Sequence, residues 1–117
     1  MKIAVSPLSL HEILTMKIVG PDDVKSPMTG NWPPKAEFLL CGKFSRNSTF
    51  LSIDLLPYGR EVHAFQIRSP VTGKQAKLKL GDCYVFHIQR TNAAADHLFI
   101  EDLVGVVYDL TNRKFFT

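Results

Sequence analysis

The chain has 117 residues, a length typical of one domain and too short for two ordinary ones. Its apolar share of 45% and charged share of 21% predict a buried core and argue against disorder. No stretch approaches the roughly 18 to 20 apolar residues of a membrane helix, and the N-terminus lacks the apolar core of a secretory signal. Cys41 and Cys83 lie in apolar runs and are predicted to be buried thiols, not a disulfide or metal ligands. An intracellular protein is expected.

Charge is distributed unevenly. The formal net charge is +3, but residues 43–90 hold eight Lys or Arg against three acids. Residues 91–112 hold four acids and no Lys or Arg. This pattern indicates either two differently charged surfaces or ordinary surface solvation.

Residues 1–35 are predicted to form an extension that packs on the rest of the domain. Ser9 and Glu12 have the spacing of a helix capping box, so one or two helical turns are expected to follow; a short strand into Ile18 is the alternative. Residues 20–35 are predicted to be a loop, because four prolines and one glycine lie within 21–35. Trp32 in this loop either anchors it by burying its ring or stacks on a ligand.

Five strands are predicted after residue 35. The second strand alternates clearly, with Leu51, Ile53 and Leu55 facing inward together with Ile100 of the last strand. Turn residues separate the strands, and 75–80 form either one helical turn or an extended link. The last strand is expected to bend or bulge at Gly105. The predicted strands are Ala36–Phe44, Thr49–Leu56, Glu61–Arg68, Cys83–Arg90 and His97–Leu110.

The order of these signals resembles an OB-fold. The resemblance is carried by Cys41-Gly42-Lys43-Phe44, by Phe50–Asp54 leading through a turn into Glu61–Phe65, by Leu80–Phe86, and by Leu98–Asp102. It is closest to the small subunits of replication protein A-type and telomere-capping complexes. The fold class that it implies is all-β, a small five-stranded antiparallel OB-like barrel over 36–117 with a short N-terminal helix or strand extension. A barrel buries the apolar faces together and removes exposed strand edges. Many OB-folds place a helix between the third and fourth strands, whereas residues 69–80 are short, contain Pro70 and Gly73, and leave room for about two helical turns.

Nothing in the sequence predicts an enzyme, and no cofactor or metal site is expected. A phosphate-binding Gly-rich loop, paired zinc cysteines and a serine elbow are all missing from the sequence. His63 and His87 are predicted to lie in opposed strands, but two histidines are too few ligands for a metal. Asp54 and Glu61 flank one hairpin, where carboxylates are normally solvated.

A nucleic-acid surface is implied by the resemblance, because OB-folds bind strands across their second and third strands and between two loops. Cations would contact phosphates there, and exposed aromatic rings would stack on bases. The residues that match these positions are Lys43, Arg46, Asn47, Phe50, Ser52, Arg60, Arg68, Arg90 and Asn92.

A protein-contact surface is predicted at the C-terminal strand, which is apolar on both faces and is followed by two phenylalanines. The alternative is that these residues pack on the domain's own core. They are Val104, Val106, Tyr108, Phe115 and Phe116. The expected function is that of a non-enzymatic subunit of a nuclear complex that handles single-stranded nucleic acid in replication or at telomeres. Its main partner would be another OB-fold subunit; the alternative is direct binding of single-stranded DNA or RNA by this domain alone.

Overall fold

The computed structural model describes residues 2–19, 36–47, 50–55, 60–63, 73–91, 98 and 100–116, with backbone only at 47, 50, 55 and 60–63. Strands predominate, so the prediction of an all-β chain is confirmed. In chain order the elements are β1 Lys2–Ala4, α1 Leu10–Thr15, β2 Ile18–Val19, β3 Glu37–Asn47, β4 Phe50–Leu55, β5 Arg60–His63, β6 Gln75–Lys77, β7 Cys83–Gln89, a 3₁₀ turn Ile100–Asp102, β8 Leu103–Asp109 and β9 Lys114–Phe115.

The long strand β3 organises the main sheet. One edge of β3 pairs with β7, and the other edge pairs with β2 at Leu39 and Leu40 and with β4 from Gly42 onward. The sheet runs in the order β5-β4-β3-β7-β8-β9, antiparallel throughout except for the parallel β2. Within the part of the chain that the structure describes, no pairing joins β5 to β8, so the sheet is open there.

The N-terminal segment is part of this architecture. The capping box is confirmed, with Ser9 Oγ accepting from the Glu12 amide and the Glu12 carboxylate accepting from the Ser9 amide. Both sequence alternatives occur in succession, because α1 is followed by the short strand β2. The chain at 75–77 is extended: it forms β6, which pairs with β1 in a two-stranded sheet. The loop at 20–35 with Trp32 lies outside the described residues.

The predicted fifth strand was wrong at its start. Residues Ile100–Asp102 form a 3₁₀ turn, and the strand begins only at Leu103. The turn directs the buried Asp102 carboxylate at Thr91, whose amide and hydroxyl both donate to it at 2.7 Å. Asp102 is therefore not paired with a neighbouring strand and instead accepts two hydrogen bonds on its carboxylate. Hydrogen bonds to a charged acceptor are among the stronger ones in proteins.

Gly105 lies between two irregularities in the β7–β8 pairing, as the predicted bulge requires. The register skips Val104 on one side and Val107 on the other. The backbone of residues 4–6 crosses here, and the Ser6 amide donates to the Val106 carbonyl. A Cβ on Gly105 would lie 2.5 Å from the Ala4 carbonyl oxygen, so only glycine admits this crossing without displacement.

Two apolar clusters lie on opposite sides of the main sheet. We call them the main core and the helix cluster. Leu51 and Ile53 are buried in the main core and Ile100 packs against it, as the strand alternation predicts, while the Leu55 side chain lies outside the described residues. The main core comprises Ile3, Val19, Phe38, Leu40, Phe44, Leu51, Ile53, Ala76, Leu78, Tyr84, Phe86, Ile88, Leu98 and Val106. The helix cluster comprises Ile13, Leu39, Val85 and Val107.

Candidate functional site

The predicted nucleic-acid face on β3 and β4 contains an internal polar network. Ser45 Oγ contacts Ser52 Oγ at 3.0 Å and donates to the Asp54 carboxylate at 3.0 Å. Ser52 is fully buried, so its placement on an outward face was wrong. Because directly paired residues share a face, Lys43 lies on the same side as Asp54. A carboxylate at the centre of this face disfavours phosphate.

The exposed cations of β3 do not converge. Lys43 and Arg46 are both exposed, but their separation of three residues in a regularly paired strand puts them on opposite sides. Arg46 pairs with Leu51 and shares the side of Phe44, which is in the main core. Asn47, Phe50 and Arg60 lie in the strands, although their side chains are outside the description, and Arg68 and Asn92 are outside it altogether.

Arg90 is an interior residue. Its side chain is 1% exposed, so its predicted contact with phosphate from the surface does not fit this placement. Burial lowers the pKa of the Arg90 guanidinium, and the charge of the buried Asp102 opposes that shift. No sequence pattern indicates this pair, because Asp102 reaches the site only through the 3₁₀ turn.

The predicted protein-contact residues divide between core and surface. Val106 is fully buried, and Phe116 packs against the main core with its ring 6.2 Å from that of Tyr84. The alternative of packing on the domain's own core therefore holds for these two residues. Val104 is half-buried, and Tyr108 packs against the helix cluster. Phe115, 40% exposed, makes a T-shaped contact with the Tyr108 ring at 4.6 Å between centroids.

A Ser–His–carboxylate chain, buried at Ser6 and His87 and exposed at Glu37, links three distant segments. Ser6 Oγ and His87 Nδ1 are 2.9 Å apart, and His87 Nε2 and Glu37 Oε1 are 3.0 Å apart. A neutral His87 satisfies both contacts if Ser6 donates to Nδ1 and Nε2–H donates to Glu37. Ser6 Oγ also accepts from the Leu8 amide, and both Ser6 and His87 are buried. This chain anchors the N-terminal segment to β3 and β7, and the sequence spacing of these residues could not reveal it.

The thiols are separate and half-buried. Cys41 and Cys83 are both free, and burial, followed by the neighbouring Cys83, raises the pKa of the Cys41 thiol. Over the described ranges, no group of three His, Cys, Asp or Glu side chains is arranged to hold a metal ion. In the same ranges no helix is long and apolar enough to span a bilayer.

A basic cleft opens between β6 and the C-terminal segment. Its volume is about 270 Å³, and it brings together two lysines, two phenylalanine rings and the edge of the small sheet. Sequence reasoning missed it because its members come from three separate segments. The lining residues are Val5, Lys74, Gln75, Ala76, Lys114, Phe115 and Phe116.

An aliphatic stripe lies on the outer side of α1. Leu10 and Leu14 are four residues apart, and therefore neighbours on one helix face, with 49% and 70% of their surfaces exposed. Ile18 follows on β2 and is 58% exposed. We call these three residues the α1 stripe.

Comparison of the chain with protein-family models, curated proteins and solved structures finds no match in any of the three.

Proposed function

We propose that this chain is a non-enzymatic, OB-like subunit of a nuclear complex that handles single-stranded nucleic acid in replication or at telomeres. It would act mainly through contact with another OB-fold subunit. The proposal rests on the sequence resemblance, on the path of the main sheet and on the α1 stripe.

The path of the sheet is compatible with an OB-like barrel. The five OB-like strands, in chain order, correspond to β3, β4, β5, β7 and β8. Their order across the sheet is β5, β4, β3, β7 and β8, which places the third OB-like strand at one end and the fifth at the other. Such a sheet closes when its two end strands, the third and the fifth, meet. The long β3 pairs with β7 along one half and with β4 along the other, as a strand shared by two sides of a barrel does.

The observation that carries the protein-contact part is the α1 stripe. Three large aliphatic side chains, each about half or more exposed, lie on two consecutive elements. The inward side of α1 is already used, because Ile13 packs in the helix cluster. Exposed aliphatic residues grouped in this way are typical of interfaces, whereas singly scattered ones need no partner.

Affinity purification of the chain with mass spectrometry of what co-purifies tests this proposal. The L10S/L14S variant is expected to lose the partner, whereas L80S is expected to keep it. Leu80 is a matched control because it is as exposed as Leu10 but lies outside the α1 stripe. Circular dichroism and thermal melting verify that all three proteins fold alike.

The proposal requires that the captured protein has OB domains and binds single-stranded oligonucleotides when purified. A partner unrelated to nucleic acid contradicts the function. A genuine partner that L10S/L14S still retains contradicts the role of the α1 stripe.

The second candidate is direct binding of single-stranded DNA or RNA by the domain alone. The basic cleft favours it, since cations beside an exposed aromatic ring suit an anionic chain with flat bases. Titration of a labelled oligonucleotide at low salt decides whether this activity exists.

A further inference from the structure

We propose that single-stranded nucleic acid binds this domain in the basic cleft and not on the face of β3 and β4. This inference rests on the proposed association with single-stranded nucleic acid but assigns it to a different surface. The cleft lies between β6, residue 5 and the C-terminal segment, away from the strands that the resemblance implies.

The first argument is charge. Lys74 and Lys114 line the cleft, and both are exposed. The three segments around it, 2–6, 73–79 and 110–116, contain no Asp or Glu. In the cleft and on the predicted face of β3 and β4 alike, a lysine pairs directly with an aspartate, Lys114 with Asp109 and Lys43 with Asp54. The two surfaces differ because the Asp109 carboxylate is buried and accepts from the amide and the side chain of Asn112, whereas Asp54 is only half-buried.

The small sheet beside the cleft extends this positive surface. Lys2 and Lys77 are directly paired across β1 and β6. Their neighbours Ile3 and Ala76 are buried, so alternation turns both lysines outward, on the same side as Gln75 of the cleft. Like charges placed directly opposite destabilise a sheet, and a bound polyanion relieves that repulsion.

The second argument is the presence of a stacking surface. Phe115 lines the cleft next to Lys114 and remains 40% exposed although its ring contacts Tyr108. An exposed phenyl ring and two lysines that line the same cleft offer a base a flat surface and its flanking phosphates two cations. Bases inside a duplex are already stacked, so this arrangement selects unpaired strands.

The third argument is that the cleft is built on fixed elements. Phe116 is anchored by its ring contact with Tyr84 and by its amide, which donates to the Val107 carbonyl at 3.0 Å. On the opposite wall, the Val5 amide donates to the Lys74 carbonyl. The backbone at Lys74 and at Phe116, on the two walls of the cleft, is therefore fixed before any ligand binds.

Fluorescence anisotropy with a labelled 12-nucleotide oligothymidine tests the inference. The K74Q/K114Q variant is expected to bind about tenfold more weakly at low salt. The slope of log affinity against log salt should become shallower by about 1.4, because two phosphate contacts are lost. F115A should weaken binding with the slope unchanged, since stacking releases no counterions. F115L serves as its control for packing against Tyr108.

The matched comparison is K43Q/R46Q, which removes two exposed charges from β3, one on each side of the strand. It is expected to retain affinity within about threefold and so to exclude a general effect of net charge. The inference is overturned if the unaltered chain does not bind, if K43Q/R46Q loses as much as K74Q/K114Q, or if a 12-base-pair duplex binds equally well. If the unaltered chain binds and K74Q/K114Q matches it, the cleft is excluded while the proposed function stands.

Discussion

In the strands β3, β7 and β8, alternate residues belong to the main core and to the helix cluster. Leu39 of β3 packs under α1, whereas its neighbours Phe38 and Leu40 point into the main core. The same division separates Val85 from Phe86 and Val107 from Val106. A continuous apolar run in these strands therefore reflects two covered faces and does not by itself indicate an interface.

The two clusters differ in how completely they are closed. The main core draws residues from β1, β2, β3, β4, β6, β7 and β8, and several of its side chains are completely inaccessible. The helix cluster has four buried residues surrounded by partly exposed ones, under a helix of six residues. We therefore expect stability to depend mainly on the first cluster and to depend on the second more weakly.

The largest effect is expected for I53A in the main core. Ile53 is 1% exposed, so its truncation should lower the free energy of unfolding by about 2 to 5 kcal/mol. Urea denaturation followed by circular dichroism measures the change. In the matched variant I18A, where the isoleucine is 58% exposed, the free energy of unfolding should change by less than about 0.5 kcal/mol. A near-neutral I53A would mean that this side of β4 faces solvent.

I13A probes the helix cluster and should cost less, about 2 kcal/mol, the low end for a buried aliphatic residue. Its surroundings are partly open and can adjust. L14A on the same helix removes a 70% exposed side chain and controls for the change in helix propensity. Equal losses for I13A and I53A would contradict the distinction between the clusters.

S9A tests how strongly the helix itself depends on its cap. Loss of the hydrogen bond from the Glu12 amide should lower stability by about 1 kcal/mol at neutral pH. The hydrogen bonds with Ser9 lower the pKa of Glu12 below its ordinary value. The part of the cap that depends on the Glu12 carboxylate is consequently present above the ordinary carboxylate pKa and is lost as the pH falls through the lowered one. The hydrogen bond that S9A removes joins two groups that do not titrate, so the loss caused by S9A should persist in acid, apart from the share of the pKa shift that the Ser9 side chain causes.

The smallest effect concerns reactivity. The pKa of Cys41 is raised by burial and by Cys83, so the folded protein holds less thiolate at pH 8 than the unfolded chain does. Iodoacetamide should therefore alkylate Cys41 in the C83S variant more slowly in buffer than in urea. The raised pKa also means that this thiol's contribution to stability is lost as the pH rises through it. Equal alkylation rates in both conditions would show that the thiol is fully open to solvent.

Sequence reasoning succeeded where the physical cause is local. The Ser9–Glu12 cap needs a spacing of three residues, and strand β7 is a run of Tyr, Val, Phe and Ile that favours extended chain. It failed where the cause lies in the folded structure: Arg90 is buried and feels the charge of Asp102, and the Ser6–His87 contact spans 81 residues. The basic cleft is likewise formed by three segments that only the folded chain brings together.

The crossing at Gly105 has a consequence for the order of folding. Residues 4–6 lie against a strand that is far away in the chain, and contacts of this kind form late because the intervening chain must be closed first. The segment that carries Ser6 is therefore expected to dock last, on a sheet already assembled, and to detach first. The amide of Ser6, which donates to Val106, should then exchange its hydrogen with solvent sooner than the amides shared by β3 and β7. Because only glycine admits the crossing at position 105 without displacement, this residue permits the contact that is expected to form last on folding and to detach first.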